Sequence, residues 1–340
     1  MTTSASTRQQ NQTVRFAGMD LSPQAHAVAV LMLGLTAASF AAVTVRLAQI
    51  NGLPSPLIAG GRLLLACLVL TPLVLRRYRT QVGYLSRSDW FWSIMAGVWL
   101  GLHFTLMAFS LENTTVLVAQ VIINTGPLWV AMLEMLFLRA KLPPAVFGAL
   151  VVTMIGGGII ALASTSSPAP GPIALLALGH LGTTIGAPPS GDPALGAVLA
   201  LAGAIAAAIY MTIGRKARAK ISLVPYIWIL YGAGGITGFI IVALTGTAVF
   251  GHPTTGYLWL LVITLVPQLI GHSSFNFALG YIPATVVSIT TQAVTISAAV
   301  IAFFLFAEVP SLLEVFGSLV MAVGVLIAIA ARRRPRQAAE

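Results

Sequence analysis

Uncharged polar side chains recur inside long apolar stretches of this chain, at spacings that place them on shared helical faces. Gln268, His272 and Asn276 are four residues apart, and so are Gln120 and Asn124. Residues four apart lie on one face of an α-helix. Amide and imidazole groups bind solutes by hydrogen bonding, so the spacing predicts a polar lining. The alternative is that these side chains bond across helices and only hold a helix bundle together.

Three further polar residues stand singly in apolar stretches, namely His103, Tyr210 and Gln292. We expect His103 and Gln292 to join the same lining and Tyr210 to form an aromatic wall. A histidine there can also carry a proton, because its unperturbed pKa is about 6.5. Two histidines without a third ligand do not predict a metal site, and no residue pattern predicts a cofactor.

The composition requires lipid around most of the chain. Of 340 residues, 58% are hydrophobic and 8% are charged, and the mean hydropathy is +0.94. A spanning helix needs about 20 mostly apolar residues. The sequence therefore predicts an all-α polytopic membrane protein with ten transmembrane helices, called spans 1 to 10 below. They cover approximately 26–45, 57–75, 91–111, 115–138, 143–163, 194–213, 222–246, 257–280, 283–307 and 311–331.

The net charge of +10 predicts the orientation of these spans. With ten spans, all eighteen lysines and arginines except Arg46 and Arg62 fall in tails and loops on one side. Positive residues favour the cytoplasmic side, so both termini are expected in the cytoplasm of a cell (inner) membrane protein. The same residues can contact anionic lipids at the cytoplasmic face. This distribution does not suggest nucleic-acid binding.

The chain resembles itself at an offset of 169 residues. His103 matches His272 and Trp90 matches Trp259, and further matches are Arg46 with Arg215, Pro56 with Pro225, and 146–148 with 315–317. Each half holds five spans, and an odd number inverts the second half in the membrane. Inverted repeats are typical of secondary transporters, with the solute site near the midplane.

The repeat sets the predicted domains. These are a cytoplasmic tail, a first five-helix repeat, an extracytoplasmic linker, a second five-helix repeat and a basic cytoplasmic tail, over 1–25, 26–163, 164–193, 194–331 and 332–340.

Several other residues receive structural predictions. Arg62, inside span 2, either sets a preference for anions or reaches out to the interface and to backbone carbonyls; the sequence favours the second role. Glu134 is expected to pair with Arg139 or Lys141. The pairs Gly97/Gly101 and Gly234/Gly238 predict close helix packing.

Particular strings in both halves resemble a known family. The stretch from Phe277 to Ile329, with PATVVS, Glu308 and the glycine of VFG, is similar to the C-terminal repeat of EamA-type transporters of the drug/metabolite transporter superfamily. In the first half PSPLIAGGRLLLA, which contains Arg62, and NTGPLWVAMLEMLFL resemble the family more loosely. The resemblance covers roughly 26–163 and 194–331.

The resemblance implies an inner-membrane carrier with five-plus-five inverted repeats that exports or exchanges metabolites such as amino acids. Its cavity would be formed mainly by spans 1, 3, 4, 6, 8 and 9. Two positions depart from the family. Arg139-Ala140 stands where the first repeat usually has an acid, and Thr295-Ile296 stands where span 9 usually has a proline. The missing acid argues against a symmetric acidic role.

We therefore expect a non-enzymatic secondary transporter that moves a small, amino-acid-like metabolite by alternating access, as an exporter or exchanger. Proton coupling and a homodimer stay open. The alternatives are a membrane-embedded enzyme and a non-transporting sensor or assembly partner. The first would need clustered acids or an activated nucleophile, and the second a folded soluble domain. A built-in ATPase is not expected, because the sequence has no GxxxxGK[ST] motif.

Overall fold

The long apolar segments that the structure describes are helical, because a segment in lipid must satisfy its backbone N–H and C=O groups internally. The computed structural model describes residues 14–16, 19–21, 23–113, 119, 122–123, 125–164, 191–294 and 312–331. The helices are Pro23–Ser39, Ala41–Ile50, Ser55–Leu73, Arg79–Gly83, Arg87–Asn113, Gly126–Phe137, Pro144–Ser164, Pro193–Arg218, Leu223–Leu244, Thr254–Ile263, Ser273–Leu279, Ala284–Thr291 and Leu312–Ala330. Near the N-terminus, Val14–Phe16 pairs antiparallel with Met19–Leu21 in a small hairpin.

Six of the described helical stretches are long and apolar enough to cross a membrane. They correspond to spans 1, 2, 3, 6, 7 and 8 and cover Ala25–Ile50, Ser55–Gly83, Arg87–Asn113, Ala194–Arg218, Leu223–Leu244 and Thr254–Leu279. Three shorter apolar helices, Gly126–Phe137, Pro144–Ile159 and Val315–Ala328, fall in spans 4, 5 and 10. Span 9 begins with the helix Ala284–Thr291, and most of its remaining predicted length lies outside the described residues. The all-α polytopic architecture is confirmed.

Two of the helical stretches contain wider π-helical turns. In span 8 the segment Thr264–His272 is π-helical and contains Pro267, which has no N–H to donate. The second π-helical segment, Val74–Tyr78, follows the helix of span 2. Such turns are rare and occur often at functional sites. The first of them carries Gln268 and His272.

The two halves are packed as inverted repeats. Span 2 runs antiparallel to span 7, its repeat equivalent: a Cβ at Gly60 would lie 2.9 Å from the backbone of Gly238, whereas further along Thr71 Oγ1 accepts a hydrogen bond from Trp228 Nε1 (3.0 Å). Span 5 is likewise antiparallel to span 10, with Gly156 against Met321. Equivalent helices that pack antiparallel to each other are related by a pseudo-twofold axis in the membrane plane.

Two further pairs of spans, 3 with 6 and 8 with 1, are related to each other by the same pseudo-twofold axis. Span 3 packs antiparallel along span 6, and span 1 packs antiparallel along span 8. In the first pair Ser110 Oγ donates to the carbonyl of Gly196, and in the second the ring of His26 meets that of Phe277 at 5.4 Å. These two contacts lie at corresponding heights under the repeat offset.

The bundle has two chemically different ends. At the end called basic below, the side chains of Gln81 and Ser222 are hydrogen bonded, and Lys216 Nζ lies 5.3 Å from the ring centroid of Trp92. At the opposite, low-charge end, Gln49 Nε2 donates to Ser55 Oγ. The larger buried cluster includes residues close to the basic end: Ile221, Tyr226, Leu279, Ile282 and Val287. A smaller one occupies the low-charge end: Val45, Leu53, Leu57, Leu111 and Leu260.

Candidate functional site

A cavity of about 180 Å³ lies between the two inverted repeats. Spans 1 to 4 line it from the first repeat and spans 6, 8 and 9 from the second. Val45, Ile58 and Leu111 continue its wall into the cluster of the low-charge end, whereas Tyr226 and Ile282 fill the basic end without lining it. The cavity therefore extends from mid-bundle toward the low-charge end.

Of the eight residues predicted to bind the solute, four line this cavity: His103, Tyr210, His272 and Gln292. The rings of His103 and Tyr210 are 6.5 Å apart and belong to spans 3 and 6. Gln292 enters from span 9, near Ser288 and Thr291, which also line the wall. The structure thus brings polar groups from both repeats to one space.

The other four predicted lining residues either lie outside the cavity wall or are not among the described residues. Gln268 does not line the cavity; its side-chain oxygen accepts a hydrogen bond from Arg62 Nε at 2.9 Å. Asn276 Nδ2 donates to the carbonyl of His272 in its own span, and Asn276 is also outside the lining. Gln120 and Asn124 lie outside the described residues. The stripe on span 8 therefore splits, with His272 alone reaching the cavity wall.

The position of the Arg62 side chain differs from the one that the sequence favoured, because the side chain does not reach out to the interface. It is 3% exposed and lines the cavity. Its Cζ lies 4.0 Å from the ring centroid of Phe104, and Nε is bonded to the Gln268 side chain rather than to a carbonyl of the backbone. Phe104 was not singled out in the sequence, although it is adjacent to His103 and contacts both histidines.

The two repeat-equivalent histidines occupy different surroundings. His103 Nδ1 is 2.9 Å from the carbonyl of Gly203, and because a carbonyl only accepts, Nδ1 carries the hydrogen. The equivalent bond would join His272 to Gly34, but His272 Nδ1 is buried without a partner. The side chain of Ser274 packs against Gly34 instead. The twofold symmetry is therefore broken at the cavity.

The basic end is closed by a buried carboxylate. Glu134, in span 4, is 2% exposed. It accepts hydrogen bonds from the backbone N–H groups of Ala284 and Thr285, at 2.8 Å and 3.0 Å, and from the Thr285 hydroxyl at 2.6 Å. The expected partners Arg139 and Lys141 do not provide these bonds. Glu134 instead caps the first turn of the span 9 helix, in the other repeat.

Two arginines of span 6 reinforce the same end. Arg215 Nη1 donates to the carbonyl of Leu279 at 2.8 Å. Arg218 Nε donates to the carbonyl of Asn276 at 3.0 Å, and its Nη1 donates to the carbonyl of Ile221. Positive groups at a helix C-terminus satisfy the last carbonyls and favour the helix dipole. The helix Ser273–Leu279 is thus fixed at its end by span 6.

Within the described ranges, no group of three or more His, Cys, Asp or Glu side chains is arranged to hold a metal ion. The chemistry available in the described wall is hydrogen bonding by imidazole, amide and hydroxyl groups, one guanidinium, and apolar contact.

Comparison with known proteins gives the family. A solved crystal structure, described only as that of a protein, has the same fold: the TM-score is 0.71 at 13% sequence identity, over 92% of this chain and 100% of that one. No curated protein sequence matches. The model of the EamA-like transporter family matches residues 27–186 and 194–330. The chain therefore belongs to the EamA-like transporter family and is a membrane transporter of the drug/metabolite transporter superfamily.

Proposed function

We propose that this chain is a secondary transporter that moves a small metabolite across the cytoplasmic membrane by alternating access, as an exporter or exchanger. The observation that carries the proposal is the cavity between inverted repeats, with equivalent histidines in unequal surroundings. Inverted repeats that exchange conformations open the same site first to one side and then to the other.

The closed basic end supports one state of this cycle. The helix ends and loops at that end carry the lysines and arginines that predict the cytoplasmic side. With that orientation, the described conformation has a cytoplasmic closure and a cavity that extends outward. In the opposite state the twofold relation predicts that His272 bonds to Gly34 and that His103 leaves Gly203.

The two histidines provide a test, because they should affect stability differently and transport alike. His103→Ala removes a hydrogen bond between spans 3 and 6, so the free energy of unfolding should fall by about 1 kcal/mol. His272→Ala removes ring contacts but no hydrogen bond of Nδ1, so it should lower stability less than His103→Ala does. Both variants should reduce solute flux about tenfold, because each histidine makes its bond in one of the two states. Thermal unfolding and flux into proteoliposomes measure the two effects.

His252→Ala is the matched control, since His252 lies in the loop before span 8 and is bonded to the carbonyl of Ala248. It should leave flux unchanged. The solute is first identified by a thermal-shift screen of a solute panel, because a ligand that binds only the folded state raises its stability. Saturable counterflow then distinguishes a carrier from a channel. Normal flux in both folded histidine variants would overturn the assignment of the cavity.

A further inference from the structure

The guanidinium of Arg62 is a cation held inside the bundle without a visible counter-ion. No Asp or Glu is among the described residues that line the cavity. The buried carboxylate of Glu134 is already engaged by Ala284 and Thr285. An isolated charge away from water is costly, and polar groups kept at membrane depth generally serve function. The charge is therefore available for an anion that enters from outside the protein.

The hydrogen bond between Arg62 and Gln268 leaves unused donors. Arginine only donates, so Gln268 must present its oxygen to Arg62 Nε, which fixes the orientation of the amide. The N–H groups of Gln268 Nε2 then need an acceptor, but this nitrogen is buried without a hydrogen-bond partner. Arg62 Nη2 is also buried without a partner. Of these two side chains only Arg62 lines the cavity. Its positive charge and its unpartnered Nη2 match the carboxylate of a ligand, and Gln268 fixes the position of the guanidinium from behind.

The rest of the cavity wall limits the body of such a ligand. Aliphatic and aromatic side chains dominate it, including Phe104, Met107, Met211 and Phe275. The volume of about 180 Å³ suits a small molecule. Because the described lining has no carboxylate to balance an ammonium group, a zwitterion would gain less there than a simple anion.

We infer that the transported solute is a small organic monocarboxylate, with its carboxylate on Arg62, which Gln268 holds in place, and an apolar body in the remainder of the cavity. This inference rests on the proposed function and names its substrate class. It narrows the expected amino-acid-like solute to one without a free ammonium group.

The ligand test compares three probes with the same carbon chain: hexanoate, hexanamide and norleucine. Hexanoate should raise the melting temperature of the purified protein and compete for transport, and the other two should do so at least about tenfold more weakly. Arg62→Gln should remove the difference between hexanoate and hexanamide, and Arg62→Lys should restore part of it, since lysine keeps the charge but not the planar fork. Equal effects of the three probes would overturn the inference.

A second variant tests the site without any ligand. The Gln268→Glu variant has a carboxylate in contact with Arg62, although the two residues are 206 positions apart in the sequence. The built-in anion should raise the melting temperature of the ligand-free protein and abolish the response to hexanoate. Gln49→Glu, the same change at the low-charge end, should do neither. A folded Gln268→Glu variant with a lower melting temperature and an intact hexanoate response would contradict an unfilled anion site.

Failure of the inference can be separated from failure of the proposed function. Saturable flux of a neutral or zwitterionic solute, unaffected by Arg62→Gln, would overturn the anion site and leave the transporter standing. Absence of flux and counterflow for every class of solute in the panel would overturn both.

Discussion

Replacing Glu134 with alanine is expected to lower the free energy of unfolding by about 3 kcal/mol and to loosen the basic end of the bundle. The carboxylate accepts three hydrogen bonds from Ala284 and Thr285, and each hydrogen bond to a charged group contributes about 1.5–3 kcal/mol. The three share one acceptor group, so their contributions are not additive. Alanine leaves the donors buried at the positive end of a helix dipole.

Chemical unfolding of the purified protein measures the loss of stability. Glu134→Gln keeps one side-chain oxygen, which in the place of Oε2 can still accept from the N–H and the hydroxyl of Thr285, so it should lose about half as much. Glu112→Gln, the same change on an exposed acid at the end of span 3, should be nearly neutral. A Glu134→Ala variant as stable as Glu112→Gln would contradict the capping role of this carboxylate.

Glu134→Ala should also change the side of the membrane from which the cavity is accessible. Glu134 joins span 4 of the first repeat to span 9 of the second, so its loss should favour opening at the basic end. A cysteine introduced at cavity residue Ser288, after replacement of Cys67 with alanine, reports the opening. An impermeant maleimide applied from the basic side should label the Glu134→Ala background several-fold faster. Equal, measurable labelling rates in the Glu134→Ala background and in the background that keeps Glu134 would show that this cap does not control access to the cavity.

The sequence supplies this acid in one repeat alone, since position 303, the equivalent of Glu134, is phenylalanine. The cap on Ala284 and Thr285 at the basic end thus comes from a residue whose repeat equivalent in the sequence is apolar. In the proposed alternating-access cycle, the energies of opening the two ends should therefore differ, and the state with the basic end closed should be favoured.

Span positions and repeat inversion could be predicted because they depend on local properties. The length of an apolar run determines whether a helix can cross lipid, and an odd number of spans per half inverts the second half. The antiparallel packing of Gly60 on Gly238 follows from that inversion. The π-helical segment Thr264–His272 was not predicted. Pro267 was its available signal, but a proline in a spanning helix is equally compatible with an ordinary kink.

The site could be predicted less completely, because two of its groups depend on distant contacts. His103 and His272 were recognised since a polar residue in an apolar run requires a partner or a cavity. Arg62 is near enough to the start of span 2 for its side chain to reach the interface, and the contact that holds it inside, Gln268, is distant in sequence. Glu134 has basic residues a few positions away, whereas its partners are 150 and 151 positions away. Sequence proximity favours the nearer charge, and tertiary packing decides otherwise.

Adding a methyl group at Gly101 is expected to be among the most destabilising single changes in the bundle. A Cβ there would lie 2.5 Å from the carbonyl oxygen of Gly234 and 3.0 Å from Thr237 Cβ. The first of these atoms belongs to the backbone of span 7, so the overlap can be relieved only if two helices move apart. Overpacking of this kind costs about 1–3 kcal/mol. Gly101→Ala should fall at the upper end of that range, and Gly101→Val should exceed it.

Gly148→Ala is the matched control, because Gly148 is also helical but a Cβ there has nothing within 4 Å. Alanine favours a helix over glycine by up to about 1 kcal/mol, so this variant should be neutral or slightly more stable. The opposite signs separate close packing from helix propensity, since both changes add the same methyl group. Thermal unfolding in one detergent compares the two variants directly. If Gly101→Ala proved as stable as Gly148→Ala, the close approach of spans 3 and 7 would be wrong, and with it the packing that positions His103 across from span 6.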